Sequence, residues 1–131
     1  MEIHEAERVL IYEHAESEYP DECCGVLLGI KEDSLVCKIV PLDNTDEYGR
    51  RNIHYTINPL DIYKLECEAA DEGLEILGFY HSHADYPAIP SAEDTRYMIP
   101  GCSYVIVSVD KKRCVDMRIY EKEAVYDELD I

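Results

Sequence analysis

The chain has 131 residues, 47% hydrophobic and 31% charged, a composition typical of a folded domain that excludes an intrinsically disordered chain. Twelve basic residues against 29 acidic ones give a net charge of −17, which argues against nucleic acid and acidic membranes as partners because both would be repelled. The length predicts one domain over residues 1–131.

Six cysteines lie at positions 23, 24, 37, 67, 102 and 114. No two of them have the C-x-x-C spacing of zinc knuckles and thioredoxin-type redox motifs. The apolar runs are too short to span a bilayer, and the opening MEIHEAERVL lacks the pattern of an export signal. We therefore expect a cytoplasmic protein whose cysteines are reduced and mostly buried.

The first predicted element is a helix over residues 4–18, which is rich in helix formers. It stops before Tyr19-Pro20, because a proline disfavours the helical conformation in the preceding residue. A short buried strand is predicted over Cys23–Ile30, followed by a second strand, Ser34–Leu42, as its hairpin partner.

The segment Asp43–Asn52 is polar and predicts a loop, with Arg50 and Arg51 as its most basic spot. A short strand, His54–Ile57, is expected next. Asn58-Pro59 then combines a good N-cap with proline at the first helical position, and Gly73 is placed to end that helix.

The second half of the chain predicts a strand over Glu75–His83 and a short helix over Ser91–Met98. A hairpin follows, with strands Ser103–Val109 and Cys114–Tyr120, and the last ten residues suggest a terminal helix. Helices alternate unevenly with strands that include antiparallel pairs, so the predicted class is α+β, or mixed α/β.

A His-x-His pair, His81 and His83, lies at the end of the strand predicted at Glu75–His83. Side chains alternate along a strand, so Leu77 and Phe79 are predicted to share a face with both histidines. The two histidine backbones are then about 6.6 Å apart, near enough for both rings to bind one ion. Such a pair alone is weak support for a metal site, because an incidental pair is more common.

A third candidate ligand, Asp94, follows in Ser91-x-x-Asp94. The same four residues also predict a capping box at a helix start, and the two interpretations are compatible. Three protein ligands would leave a fourth tetrahedral position for water, which is typical of catalytic zinc. Such a site also needs a group that accepts a proton from the water, and residue spacing does not identify it among the 29 carboxylates.

His81-Ser-His83, seven further residues and Ser91-x-x-Asp94 together resemble the signature of the JAMM (MPN-plus) metalloprotease family. The resemblance extends to the segments Pro20-Asp-Glu22-Cys-Cys-Gly25-Val-Leu-Leu-Gly29, Tyr55-x-Ile57-x-Pro59, Gly78-Phe-Tyr-His81 and Pro100-Gly-x-Ser-Tyr-Val-Ile-Val. It implies an MPN-like fold, a central mixed sheet flanked by helices and similar to the cytidine-deaminase-like architecture. One departure is Ala84, where the family often has proline.

The resemblance implies a role for each matching residue. His81, His83 and Asp94 would bind one Zn²⁺ per chain, with a water molecule as the fourth ligand. Glu22 would act as general base and then as general acid. Ser91 would donate a hydrogen bond to the oxyanion of the tetrahedral intermediate.

The chain most resembles small prokaryotic members of that family, which act on ubiquitin-like sulfur-carrier proteins. The implied activity is hydrolysis of the peptide or isopeptide bond after the carrier's C-terminal Gly-Gly. A further hypothesis is that the loop Tyr48–Asn52 flanks the substrate groove and that Arg50 or Arg51 contacts the carrier. Solvated arginines on an exposed loop are the simpler explanation.

Three alternatives belong to other classes. A zinc nucleobase deaminase would need His-x-Glu and a downstream Pro-Cys-x-x-Cys, and the chain has neither. A non-catalytic MPN interaction module should lack one of the site residues, and all are present. A small zinc peptidase that acts on short peptides would use the same site and stays open. The remaining histidines, His4, His14 and His54, are expected to be surface or packing residues.

Overall fold

The computed structural model describes residues 1–46, 51 and 55–122. These residues form three helices and five strands in the order α1, β1, β2, α2, β3, α3, β4, β5. Their bounds are α1 Glu5–Glu18, β1 Cys24–Ile30, β2 Leu35–Leu42, α2 Pro59–Asp71, β3 Glu75–Ala84, α3 Ala92–Tyr97, β4 Ser103–Asp110 and β5 Arg113–Glu121. The predicted α+β class is confirmed, and each of these elements lies within a residue or two of its predicted position.

The five strands form one mixed sheet in the order β2-β1-β3-β4-β5. β3 and β4 pair in parallel, while β1 pairs with both β2 and β3 antiparallel and β4 pairs with β5 antiparallel. The chain between β3 and β4 includes α3, as a parallel connection requires a crossover. The carboxyl end of β3, where the histidine pair lies, is therefore next to β4 in the middle of the sheet.

The two faces of the sheet are covered by different helices. Ile11 and Ala15 of α1 are fully buried against one face, together with Leu27 and Tyr80. Ala69 of α2 is buried in a separate cluster on the other face. Burying apolar surface on both faces provides the main stabilisation of a sheet of this size.

The helix ends follow the chemistry that the sequence predicts. Asn58 accepts a hydrogen bond from the Leu60 backbone N–H at 3.0 Å, with Pro59 in the first turn of α2. Gly73 has φ of +73° just after that helix, a conformation that glycine adopts without steric cost.

One predicted strand face is wrong. Leu77 packs in the cluster below α1, whereas Phe79 packs on the α2 face. The register of β1 against β3 shifts where Leu27 pairs with Gly78 and Leu28 pairs with Ile76, so Leu77 is the extra residue of a β-bulge. A bulge interrupts the alternation of side chains, and Leu77 therefore turns away from the face of His81.

The strand predicted at His54–Ile57 is also wrong for residues 55–57, which do not join a strand ladder. Thr56 instead is held by the preceding loop: its carbonyl accepts hydrogen bonds from the Thr45 N–H and hydroxyl, at 2.9 and 3.0 Å. Its own N–H donates to Asn44 Oδ1 at 3.1 Å. Side-chain hydrogen bonds of this kind replace ladder pairing.

The cysteines are free thiols, as expected, but they are not mostly buried. Only Cys23 and Cys24 are buried, while Cys102 and Cys114 are half-buried and two others, Cys37 and Cys67, are exposed. Among the described residues, no helix is long and apolar enough to cross a membrane. Three residues named in the sequence analysis lie outside the described residues: Tyr48, Arg50 and His54. The predicted terminal helix lies outside them too, apart from its first residue, Lys122. The prediction of one domain over 1–131 stays a prediction.

Candidate metal centre

Three potential metal ligands converge at the carboxyl end of β3. The Nε2 atoms of His81 and His83 are 3.2 Å apart, and Asp94 Oδ2 lies 3.3 Å from the first and 3.0 Å from the second. Both histidines are buried, and the Asp94 side chain is only 11% exposed. In the described part of the chain, this is the one group of three or more such side chains that could hold a metal ion.

Two local structures produce this convergence. The alternation predicted for His81 and His83 is confirmed, since both rings reach the same carboxylate. Asp94 is the third residue of α3, where Ser91 Oγ accepts from the Asp94 N–H and Asp94 Oδ2 accepts from the Ser91 N–H, both at 2.9 Å. The predicted capping box is therefore present, and the same carboxylate oxygen faces the histidines.

The geometry of these three atoms fits a zinc ion. Tetrahedral zinc with Zn–N distances near 2.0–2.1 Å places neighbouring ligand atoms about 3.3 Å apart. The three distances of 3.0–3.3 Å match that spacing. Two imidazoles and one carboxylate are also a typical ligand set for catalytic zinc, so these residues fit the ion that the sequence predicts.

The charge states of His81 and Asp94 suit metal binding. Burial lowers the pKa of His81, which favours the neutral imidazole that can act as a ligand. Burial opposes ionisation of Asp94, but hydrogen bonds with His81 and His83 outweigh it and hold the pKa of Asp94 well below its ordinary value. For His83, burial lowers the pKa, while hydrogen bonds to Asp94 and to the Pro87 carbonyl raise it, with a net upward shift.

The two imidazoles are oriented in different ways. The Nδ1–H of His83 donates to the Pro87 carbonyl at 2.8 Å, the type of outer contact that fixes a metal-binding ring. His81 Nδ1 has no hydrogen-bond partner within the described ranges. The ring of Tyr55 instead stacks on His81, with centroids 4.7 Å apart and an angle of 27° between the planes.

Glu22 is buried, with 6% of its surface exposed. It lines the same cavity as His83, Ser91 and Asp94, and its charge contributes to the raised pKa of His83. The adjoining backbone is fixed to the strand between the histidines, because the Cys23 N–H donates to Ser82 Oγ at 2.8 Å. The base implied by the family resemblance therefore lies beside the candidate metal ligands.

Ser91 is half-buried on the same cavity wall. Its oxygen is an acceptor for the Asp94 N–H, and among the described residues its hydroxyl proton has no acceptor. The hydroxyl can therefore donate to a molecule in the cavity while still capping α3.

The cavity in front of the ligands has a volume of about 500 Å³, within the range of small-molecule and peptide pockets. Besides the polar residues, four tyrosines line it: Tyr55, Tyr86, Tyr97 and Tyr104. Tyr86 and Tyr97 are 54% and 69% exposed at its rim. Tyr55 and Tyr104 belong to the segments that resemble the family, whereas nothing in the spacing of Tyr86 and Tyr97 indicates that the loop after β3 and α3 bring them to this cavity.

The remaining polar residues of interest do not join the ligands. His14 Nδ1 is hydrogen-bonded to the Tyr80 hydroxyl at 2.8 Å, and His4 contacts Glu2 at the surface. Arg51 is exposed, yet its backbone carbonyl accepts from the Glu22 N–H at 2.5 Å. Arg51 is thus next to Glu22 through its backbone, whereas Arg50 lies outside the described residues.

Comparisons with known proteins agree with this geometry. The sequence profile of the family described as prokaryotic homologs of the JAB domain matches residues 4–120. The desampylase of Haloferax volcanii is 33% identical over 99 residues, which is 75% of this chain and 70% of that protein. The CysO-cysteine peptidase of Mycobacterium tuberculosis is 31% identical over 110 residues, 82% of this chain and 72% of that protein.

A third relative, the probable TtuB-protein conjugate cleaving protease of Thermus thermophilus, is 34% identical over 76% of this chain and 64% of its own length. Among solved structures, a protein from Desulfitobacterium hafniense matches with a TM-score of 0.71 and 27% identity over 92% of both chains. A JAB1/MPN domain protein from Archaeoglobus fulgidus shares the fold, with a TM-score of 0.59 and 23% identity over 92% of this chain and 89% of the other. The profile match over most of the chain, together with these relatives, shows that the chain belongs to the family of prokaryotic homologs of the JAB domain.

Proposed function

We propose that this protein is a zinc-dependent hydrolase that cleaves the bond after the C-terminal Gly-Gly of a ubiquitin-like sulfur-carrier protein. The observation that carries the proposal is the convergence of His81, His83 and Asp94 at distances of 3.0–3.3 Å, beside a buried glutamate. The relatives support the substrate class, since their names describe a desampylase, a CysO-cysteine peptidase and a protease of TtuB conjugates.

His81, His83 and Asp94 would hold the ion. When bound, zinc acts as a Lewis acid that lowers the pKa of a water ligand towards about 7 and polarises a carbonyl oxygen. Both histidines can offer Nε2 because the His83 Nδ1–H is already donated to the Pro87 carbonyl and His81 is held by stacking.

Glu22 is the group that moves the proton. Its carboxylate would take a proton from the attacking water and deliver it to the nitrogen of the leaving amine as the C–N bond breaks. Burial beside the cavity keeps bulk water away from this transfer. The link between Cys23 and Ser82 fixes the backbone next to Glu22 relative to the histidine strand.

Ser91 would donate its hydroxyl proton to the oxyanion that develops on the scissile carbonyl. Its oxygen is fixed by the Asp94 N–H, so little reorganisation is needed when the charge develops. The cap of α3 therefore contributes to both structure and catalysis in this proposal.

The carrier's Gly-Gly tail suits the approach to this site. An extended tail without side chains could pass between the tyrosines that line the cavity, where a larger side chain would clash. Tyr86 and Tyr97 are exposed apolar groups at the rim and could contact the body of the carrier. Arg51 is linked to Glu22 through its backbone carbonyl. A cytoplasmic location, where such a carrier is met, completes the proposal.

An intact-mass assay tests this function. The zinc-loaded protein is incubated with a folded ubiquitin-like sulfur carrier that extends one amino acid past its Gly-Gly end, and with a free peptide of the same tail. Glu22→Gln serves as the matched variant, since it keeps the size of the side chain but removes the proton acceptor. We expect wild type to remove the extension from the carrier and Glu22→Gln to be slower by about 10²–10⁴-fold.

The other outcomes separate the alternatives. Cleavage of the peptide while the folded carrier survives would replace the proposal with a small zinc peptidase. Equal rates for wild type and Glu22→Gln would remove Glu22 from the mechanism. No cleavage of either substrate, with zinc bound, would favour a non-catalytic interaction module.

A further inference from the structure

The loop after β3 presents three consecutive backbone carbonyls to three side chains from separate strands. The central carbonyl, that of Pro87, accepts the Nδ1–H of His83 at 2.8 Å. The carbonyl before it accepts from a serine on β4, and the carbonyl after it accepts from a tyrosine on β5. The two flanking hydrogen bonds are Ser108 Oγ to Tyr86 O at 2.6 Å and Tyr120 Oη to Ala88 O at 2.5 Å.

The fold places these donors where they can act on the loop. Ser108 is the parallel register partner of His83, so its side chain lies on the same face of the sheet, one strand away. Ser108 is buried, with 5% of its surface exposed, and Ala88 is 1% exposed. The hydrogen bonds at both flanking carbonyls are therefore largely shielded from competing water.

The segment between the two anchors has little freedom. Proline fixes one backbone dihedral at position 87. The Ile89 N–H also donates to the Pro87 carbonyl, at 2.8 Å. Loss of either flanking anchor would release one side of the carbonyl that orients His83.

We propose that Ser108 and Tyr120 are positioning residues that fix the imidazole of His83 for metal binding by holding the carbonyls on each side of Pro87. This inference rests on the proposed zinc site. Neither residue contacts the metal ligands through a hydrogen bond of its own in the described structure. Their effect passes through the backbone of the loop.

The test measures the affinity for zinc(II) alone, by competition with a chromophoric chelator, for Ser108→Ala, Tyr120→Phe and the double variant. Removing outer contacts of metal ligands typically weakens metal binding by about 10–100-fold. Because these donors act one bond further out, we expect about a tenfold increase in Kd for each single variant, and a larger increase for the double variant. Ser108→Thr, which keeps a hydroxyl, should restore most of the affinity.

Two control variants remove comparable hydroxyls that do not touch the loop. Ser103→Ala deletes a buried hydroxyl of the same strand that donates to Glu121 at 3.1 Å. Tyr80→Phe deletes a buried hydroxyl that is bonded to His14. Both should lower thermal stability to a similar extent without changing the Kd for zinc, so a general loss of stability is distinguished from a loss of ring orientation.

A Kd within twofold of wild type for both Ser108→Ala and Tyr120→Phe would overturn the inference and leave the proposed function intact. An equal weakening in the two controls would overturn it as well, since the effect would then be one of stability. If wild type itself binds no zinc, the metal site falls, and the inference falls with it. Circular dichroism at the assay temperature verifies that each variant is folded, and one folded member of the pair is sufficient for the test.

Discussion

Replacement of Ser91 separates two roles that one hydroxyl has in this structure. Its oxygen caps α3 by accepting the Asp94 N–H at 2.9 Å, and its proton is proposed to stabilise the oxyanion. Ser91→Ala removes both. Ser91→Gly removes the hydroxyl as well, but glycine is a much better N-cap residue than alanine.

The magnitudes of the two effects differ widely. Loss of a serine N-cap to alanine costs about 1 kcal/mol of stability, while glycine at that position costs only a few tenths. Loss of one oxyanion donor lowers kcat by about 10²–10³-fold. A domain with about 5 kcal/mol or more of stability stays almost fully folded after losing about 1 kcal/mol, so destabilisation alone cannot produce such a loss of rate.

The assay combines urea unfolding with kcat/KM on the extended carrier for wild type, Ser91→Ala and Ser91→Gly. We expect the free energy of unfolding to decrease in the order wild type, glycine variant, alanine variant. The rates of both variants should fall by about 10²-fold or more. If the glycine variant kept the wild-type rate, Ser91 would be only a helix cap, and the proposed oxyanion role would be refuted.

The remaining predictions concern the two buried cysteines and two glycines. Burial raises the pKa of Cys23 and of Cys24 to about 12, so at pH 8 both should react with a thiol reagent far more slowly than the two exposed cysteines; equal rates for all would contradict this. Because the pKa values of both thiols are raised in the folded protein, the stability they contribute is complete below the ordinary value of 9.0 and is lost as pH rises towards 12. The decline in unfolding free energy above pH 9 should therefore be shallower in a Cys23→Ala, Cys24→Ala double variant. Equal slopes for wild type and the double variant would disprove this linkage. Gly25→Ala would place a methyl group 2.2 Å from the buried ring of Tyr80 and should lower the free energy of unfolding by about 3 kcal/mol. In Gly73→Ala the new methyl group meets no atom within 4 Å, so only the positive-φ penalty of about 1 kcal/mol applies. The reverse order of the two variants in urea unfolding would contradict the packing argument.

The sequence predicted the elements well where local chemistry dictates structure. Asn58-Pro59 and Ser91-x-x-Asp94 specify helix starts through their side-chain caps, and both caps are present. The histidine pair was placed correctly because strand alternation is a local rule. The same rule was wrong for Leu77, since a bulge arises from the register between two strands, which one strand's sequence does not contain.

Other features depend on contacts across the fold. The backbone link of Glu22 to Arg51 and the anchoring of the Pro87 loop join residues that are distant in sequence, so no spacing could indicate them. Contacts across the fold also bear on Ala84, the position where the family often has proline. The following residue, Asp85, accepts hydrogen bonds from the Tyr19 hydroxyl at 2.6 Å and from the Lys111 N–H at 3.0 Å, and these contacts restrain the loop without a proline at position 84.

Native mass spectrometry of zinc-reconstituted protein tests the central claim most directly, with Asp94→Asn as the matched variant. The ligand geometry predicts one zinc ion per wild-type chain, retained through buffer exchange, and loss of that ion in Asp94→Asn, which keeps the shape of the side chain but not its charge. A wild-type chain without zinc, or equal zinc retention by the variant, would contradict the assignment of His81, His83 and Asp94 as the metal centre.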